Sequence, residues 1–255
     1  TTTQVVGLAT ANLTVLTTTQ ASYMTTTQVA SLTTAELSVL KTTQAANLTT
    51  TQISSLTTAQ VSGMVSSELV SLTTTQVIGL TTSQIKSLTT ANVAALTTTE
   101  ASVLTTGQVS VLSTSQTVNL TTTEIRSLST TQVTALTYTA VGTLTTVQFG
   151  SFTTTQLGNL TTTQAAGLST AEMHTLNASQ SASLTVTEFA QLSATQIAGM
   201  TTTGIASFTT TAISGLATTQ LYALSTAQLK AFTSTQMNGL ATTDTTAMNY
   251  IWTHS

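Results

Sequence analysis

The chain contains no cysteine, and only 4% of its 255 residues are charged. Without cysteine there is neither a disulfide framework nor a thiolate metal site, and redox compartment is left unspecified. Ordinary soluble domains are roughly 25% charged, so hydroxyls and amides must carry solubility here. The net charge of −3 is not clustered. With no basic stripe and no acidic tail, neither nucleic acid nor an anionic lipid surface is an expected partner. No apolar run approaches the roughly 18 residues of a membrane helix, so no membrane span is expected.

Catalytic groups are equally scarce. The two histidines, His174 and His254, lie far apart in the chain. Serine and threonine abound, but no residue departs from the surrounding pattern to supply a base and an orienting group. Glycine occurs singly, with neither a GxGxxG nor a phosphate loop. The expectation is therefore no catalytic residue, no cofactor-binding residue, no metal ligand, no cofactor and no enzymatic activity. The chain opens Thr1-Thr2-Thr3-Gln4, without a Met or a signal-peptide pattern, and reads as a piece of a longer chain.

What is present is a repeat of period eight. Every residue whose number is a multiple of eight, from Leu8 to Met248, is Leu, Met or Phe, with no insertion or deletion between them. Residues 1–255 thus read as a single uninterrupted array of octads. If the large apolar residue is position 8, positions 1 and 2 are mostly Thr or Ser and position 5 is mostly Val, Ile, Leu, Met, Phe or Ala. Position 4 is Gln, Glu, Asn or Asp in 28 of the 31 complete octads, the exceptions being Ala140, Gly204 and Ala212. All seven acidic residues (Glu36, Glu68, Glu100, Glu124, Glu172, Glu188 and Asp244) stand at position 4. The property common to that position is a side-chain oxygen acceptor.

The spacing Thr-x-x-Gln/Glu is that of a capping box, with position 1 as N-cap and position 4 as N3. Position 8 of one octad and position 5 of the next then form a hydrophobic staple, as in Leu48 with Ile53 and Leu72 with Val77. Seven glycines (Gly7, Gly63, Gly79, Gly167, Gly199, Gly215 and Gly239) occupy position 7, where a left-handed terminating residue is expected. A continuous helix is excluded, because a period of eight drifts about 80° per repeat at 3.6 residues per turn. The alternative is a β-solenoid, which the abundance of Thr, Val and Ile favours. Against it, positions 5 and 8 would face opposite sides of a strand, and Asn238-Gly239 is the single Asn-Gly or Asp-Gly pair in the whole array.

The expected fold is all-α: a solenoid of very short, one- to two-turn helices, one per octad, with positions 5 and 8 inside and Thr, Ser and Gln outside. Two apolar side chains cannot offset the entropy of fixing eight residues, so octads must stack. How many make a coil is not specified by the pattern. Lys86, Arg126, His174, Lys230 and His254 all fall at position 6 and Lys41 at position 1, as expected of solvated faces. Tyr138, Val186 and Tyr250 replace Thr at position 2, and Asn249-Tyr250-Ile251-Trp252 breaks the last octad.

The motif L-[ST]-T-x-Q-[VIA]-x-x-L, as in Leu48-Thr49-Thr50-Thr51-Gln52-Ile53-Ser54-Ser55-Leu56, resembles octapeptide arrays of very large secreted bacterial proteins often labelled haem-utilisation or adhesion proteins. The resemblance covers essentially the whole chain. It implies an extracellular or cell-surface location; the haem label finds no ligand residues in this sequence. The functional expectation is a structural repeat protein forming an extended rod or a self-assembling filament. The alternative is an adhesin stalk or an array that binds a repetitive surface such as polysaccharide or ice. Exposed Thr and Ser at positions 1 to 3 are candidate carriers of O-linked glycans.

Overall fold

The computed structural model describes residues 10–240 and Thr246. Gly7, Leu8, Asp244, Met248, the segment from Asn249 to Trp252, and His254 lie outside the described residues. Among the described residues there is no strand, and each octad contributes one helix of four to six residues. The all-α reading holds and the β-solenoid alternative does not.

The cause is the capping box. Thr81 stands in extended conformation (φ −72°, ψ 158°) and its hydroxyl accepts the Gln84 backbone N–H at 3.2 Å. The Gln84 Oε1 atom in turn accepts the Thr81 N–H at 2.7 Å. Two of the donors left open at a helix start are thereby satisfied within every such octad. At Lys41, Val65 and Ala217 the cap side chain makes no such bond. The reciprocal half survives there, with each backbone N–H donating 2.7 Å to Gln44, Glu68 or Gln220.

The helix stop differs from the expectation. Among the described residues no glycine has positive φ; Gly167, Gly199 and Gly239 lie at −82°, −72° and −84°. Helices end because position 8 swings into extended conformation: Leu32 has φ −62° and ψ 140°, its N–H donating to Val29 O. Position 7 is glycine for room. A Cβ on Gly63 would stand 2.8 Å from Thr34 Cγ2, and one on Gly199 would stand 3.0 Å from both Cβ and the carbonyl oxygen of Thr170. Both threonines occupy position 2 of the octad three earlier.

The chain divides into two compact units, Thr1–Leu128 and Ser129–Ser255. The described part of the first unit runs from α1 (Thr10–Thr14) to α15 (Thr122–Ser127). Within it, α7 (Thr58–Gly63) packs on α4 (Thr34–Ser38) and α10 (Thr82–Ser87), and α12 (Thr98–Val103) packs on α9 (Thr74–Gly79) and α15. Spatial neighbours are therefore three octads apart. The second unit runs from α16 (Thr130–Ala135) to α29 (Ser234–Asn238) and repeats the rule. There α21 (Thr170–Thr175) packs on α18 (Thr146–Gly150) and α24 (Ala194–Ala198), and α23 (Val186–Phe189) packs on α20 (Thr162–Ala166) and α26 (Thr210–Ile213).

Positions 5 and 8 form the core of each unit, as expected. Leu48, Ile53, Leu72 and Val77 are all buried. Larger side chains enrich the second unit: the Phe149 and Phe152 rings meet edge to face at 5.5 Å, and Phe189 meets Phe208 at 4.4 Å. Thr117 and Ser181 replace the apolar residue at position 5. Thr117 Oγ1 bonds back to the Ser113 carbonyl at 2.9 Å, whereas the Ser181 hydroxyl is buried without a partner. Positions 1 to 3 are mostly exposed.

Candidate functional site

The side chain at position 4 is where the expectation that glutamine lies outside fails. Gln44, Gln84, Gln108 and Gln164 are only 1 to 2% exposed. Burial of an amide costs free energy unless both ends are bonded, and here both are. While Oε1 closes the capping box, the amide NH2 of Gln84 donates to Ile53 O at 2.9 Å and Leu56 O at 2.7 Å. These acceptors lie 31 and 28 residues earlier, at positions 5 and 8 of the octad four before. The second unit shows the same register: Gln164 donates to Val133 O and Leu136 O, and Gln220 to Phe189 O and Leu192 O.

Helices pack three octads apart while the amides reach four, so each coil within a unit takes between three and four octads. The position 8 carbonyl follows the helix end and has no helical partner of its own, which is why a donor from the next coil matters. Asn92 is one methylene shorter and its Nδ2 reaches Met64 O at 2.9 Å, the position 8 acceptor. Asn12 and Gln20 are exposed and reach no earlier carbonyl among the described residues. At Ala140, Gly204 and Ala212 the box shrinks to the single cap bond, the backbone N–H donating to the hydroxyl of Thr137, Thr201 or Thr209.

Sequence reasoning recognised the oxygen acceptor at position 4 and missed the donor. A signal was present: Gln outnumbers Glu there by 19 to 6, although either closes a capping box. Glutamate keeps the first function and loses the second. Glu100 accepts from Thr97 N at 2.7 Å and Thr97 Oγ1 at 2.8 Å through Oε2, but its Oε1 is buried without a hydrogen-bond partner. Glu68, Glu172 and Glu188 share that unpaired Oε1. Burial pushes the carboxyls of Glu124, Glu172 and Glu188 up from the ordinary value of 4.5, against the lowering effect of their cap hydrogen bonds. The negative charge of Glu100 adds to the rise at Glu124.

The position 6 residues Lys86, Arg126, His174 and Lys230 are exposed, on separate octads. His174 Nδ1 sits 3.2 Å from Gly199 O, three octads on. Among the described residues no three His, Asp or Glu gather where a metal would bind. An apolar cavity lined by Leu37, Leu40, Ile53, Met64 and Glu68 holds about 30 Å³, room for a water and far below the space of a small-molecule site. Among the described residues no helix is long and apolar enough to cross a membrane.

Residues 63–98 match the ALTTAQ repeat family. No curated protein and no solved structure matches the chain. Fold and match together define a structural repeat protein, an α-solenoid of octads.

Proposed function

We propose that the chain serves as an extended structural rod or a self-assembling filament, outside the cell or on its surface, and not as an enzyme. The observation that carries this reading is the hydrogen bonding of the position 4 side-chain NH2 to carbonyls 28 and 31 residues earlier, which recurs coil after coil in both units. Each coil offers the next the acceptors it itself used, so the same modest contact can propagate without a distinguished site. Scarce charge lowers the repulsion that opposes association of like surfaces. Electron microscopy of native material tests it: long fibres or rods are expected, and compact particles that never associate would contradict it.

A second reading, an adhesin stalk or an array binding polysaccharide or ice, draws on the exposed Thr and Ser of positions 1 to 3. Attachment of the purified chain to such a surface would favour it. The same hydroxyls are proposed carriers of O-linked sugars, and native peptides from residues 1–255 whose masses equal those of their unmodified sequences would exclude them.

A further inference from the structure

Glu172 and Glu188, both in the second unit, are each 2% exposed. In each, Oε2 is fully engaged at the cap: Ser169 N–H donates to Glu172 at 2.6 Å and Ser169 Oγ at 2.7 Å, while Thr185 N–H donates to Glu188 at 2.6 Å. The other oxygen, Oε1, is buried with no hydrogen-bond partner in both. It replaces the amide nitrogen that Gln164, Gln196 and Gln220 aim at backbone carbonyls 28 and 31 residues earlier, over distances of 2.6 to 3.1 Å. By that register the acceptors facing Glu172 are Val141 O and Leu144 O, and those facing Glu188 are Leu157 O and Leu160 O. An ionised carboxylate there would set its Oε1 against these carbonyl oxygens in a dry interior, relieved at Glu188 alone by the backbone of Leu160.

We propose that Glu172 and Glu188 are neutral carboxylic acids in the folded coil, each donating the proton on Oε1 to the backbone of the coil four octads earlier. The second unit then holds a pair of proton-operated latches. With a proton on Oε1, glutamic acid reproduces both functions of glutamine, closing the cap through one oxygen and the coil contact through the other. Loss of the proton leaves the cap and breaks the coil contact.

Little else near these groups can neutralise or repel them. Around Glu172, α18 and α24 bear no ionisable side chain; His174 on its own helix and Tyr138 in the octad four earlier are both exposed. Around Glu188, α20, α26 and the octad Thr153 to Leu160 bear none, and the octad four later has only the exposed Tyr222. No cation therefore faces either carboxyl from these elements. Burial, the largest effect, pushes both carboxyls upward, opposed by the cap hydrogen bonds and, at Glu188, by the backbone of Leu160. A group raised on folding stabilises the fold below its unfolded value of 4.5 and loses that contribution as pH rises through the folded value.

The test compares the full chain with E172Q/E188Q, in which both positions take the residue that prevails in the array and folding is preserved. Thermal unfolding is followed from about pH 4 to about pH 8, with carboxyl 13C resonances of labelled glutamate recorded at about pH 6. The expected result is a gap in Tm that widens with pH, the variant becoming more stable than the parent by about 5 °C at the upper end. Two neutral-acid resonances present in the parent and missing from the variant are expected alongside. A gap that stays constant with pH, or carboxylate shifts at both positions at about pH 6, would overturn the proposal.

Discussion

Octads 11 and 13 of the first unit, Thr81 to Leu88 and Thr97 to Leu104, differ in consequence by one atom. Both helices are capped by threonine, and both close the reciprocal bond at 2.7 Å. Gln84 then ties its coil to Ile53 and Leu56, whereas Glu100 presents a buried oxygen with no hydrogen-bond partner. Helix formation and coil stacking are thus separate tasks of one side chain: the oxygen starts the helix, and the NH2 group joins the coils.

That contrast can be broken from either side. The largest effect is expected for Gln84→Glu at about pH 8, where loss of the carboxyl proton leaves the Leu56 carbonyl without its donor. Urea unfolding at that pH should show a loss of about 3 kcal/mol, smaller at about pH 5, with the helices of neighbouring octads retained. The reverse exchange, Glu100→Gln, should gain about 1 to 2 kcal/mol in the same measurement by supplying a donor where none exists. Thr81→Ala removes the cap and spares the amide, so about 1 kcal/mol should be lost, visible as faster amide exchange at Gln84 N–H. Smallest is Gly199→Ala. Its gain in helix propensity of about 1 kcal/mol is outweighed by the 3.0 Å approach to the Thr170 backbone, for a net loss of about 0.5 kcal/mol in thermal unfolding.

Local chemistry was legible in the sequence. Threonine at position 1 and an acceptor at position 4 specify a helix start within four residues, and the spacing of positions 5 and 8 marks the buried face. What was not legible depends on partners remote in the chain. The Gln84 NH2 finds its acceptors 31 and 28 residues away, a separation that no octad encodes by itself. Its burial, and with it the number of octads per coil, follows only once stacking is known. Glycine at position 7 misled for the same reason: its requirement comes from Thr34 or Thr170 on a packed neighbour and not from its own φ. The unpaired oxygens of Glu172 and Glu188 likewise became a feature only when the coil that surrounds them was in place.

The most direct test of the amide contact is an NMR measurement on the chain with 15N-labelled glutamine side chains. Side-chain NH2 protons of Gln84 should exchange slowly and give cross-peaks to Ile53 and Leu56, four octads earlier. Fast exchange, or cross-peaks confined to the octad of Gln84 and its immediate chain neighbours, would contradict the account that this amide joins the coils.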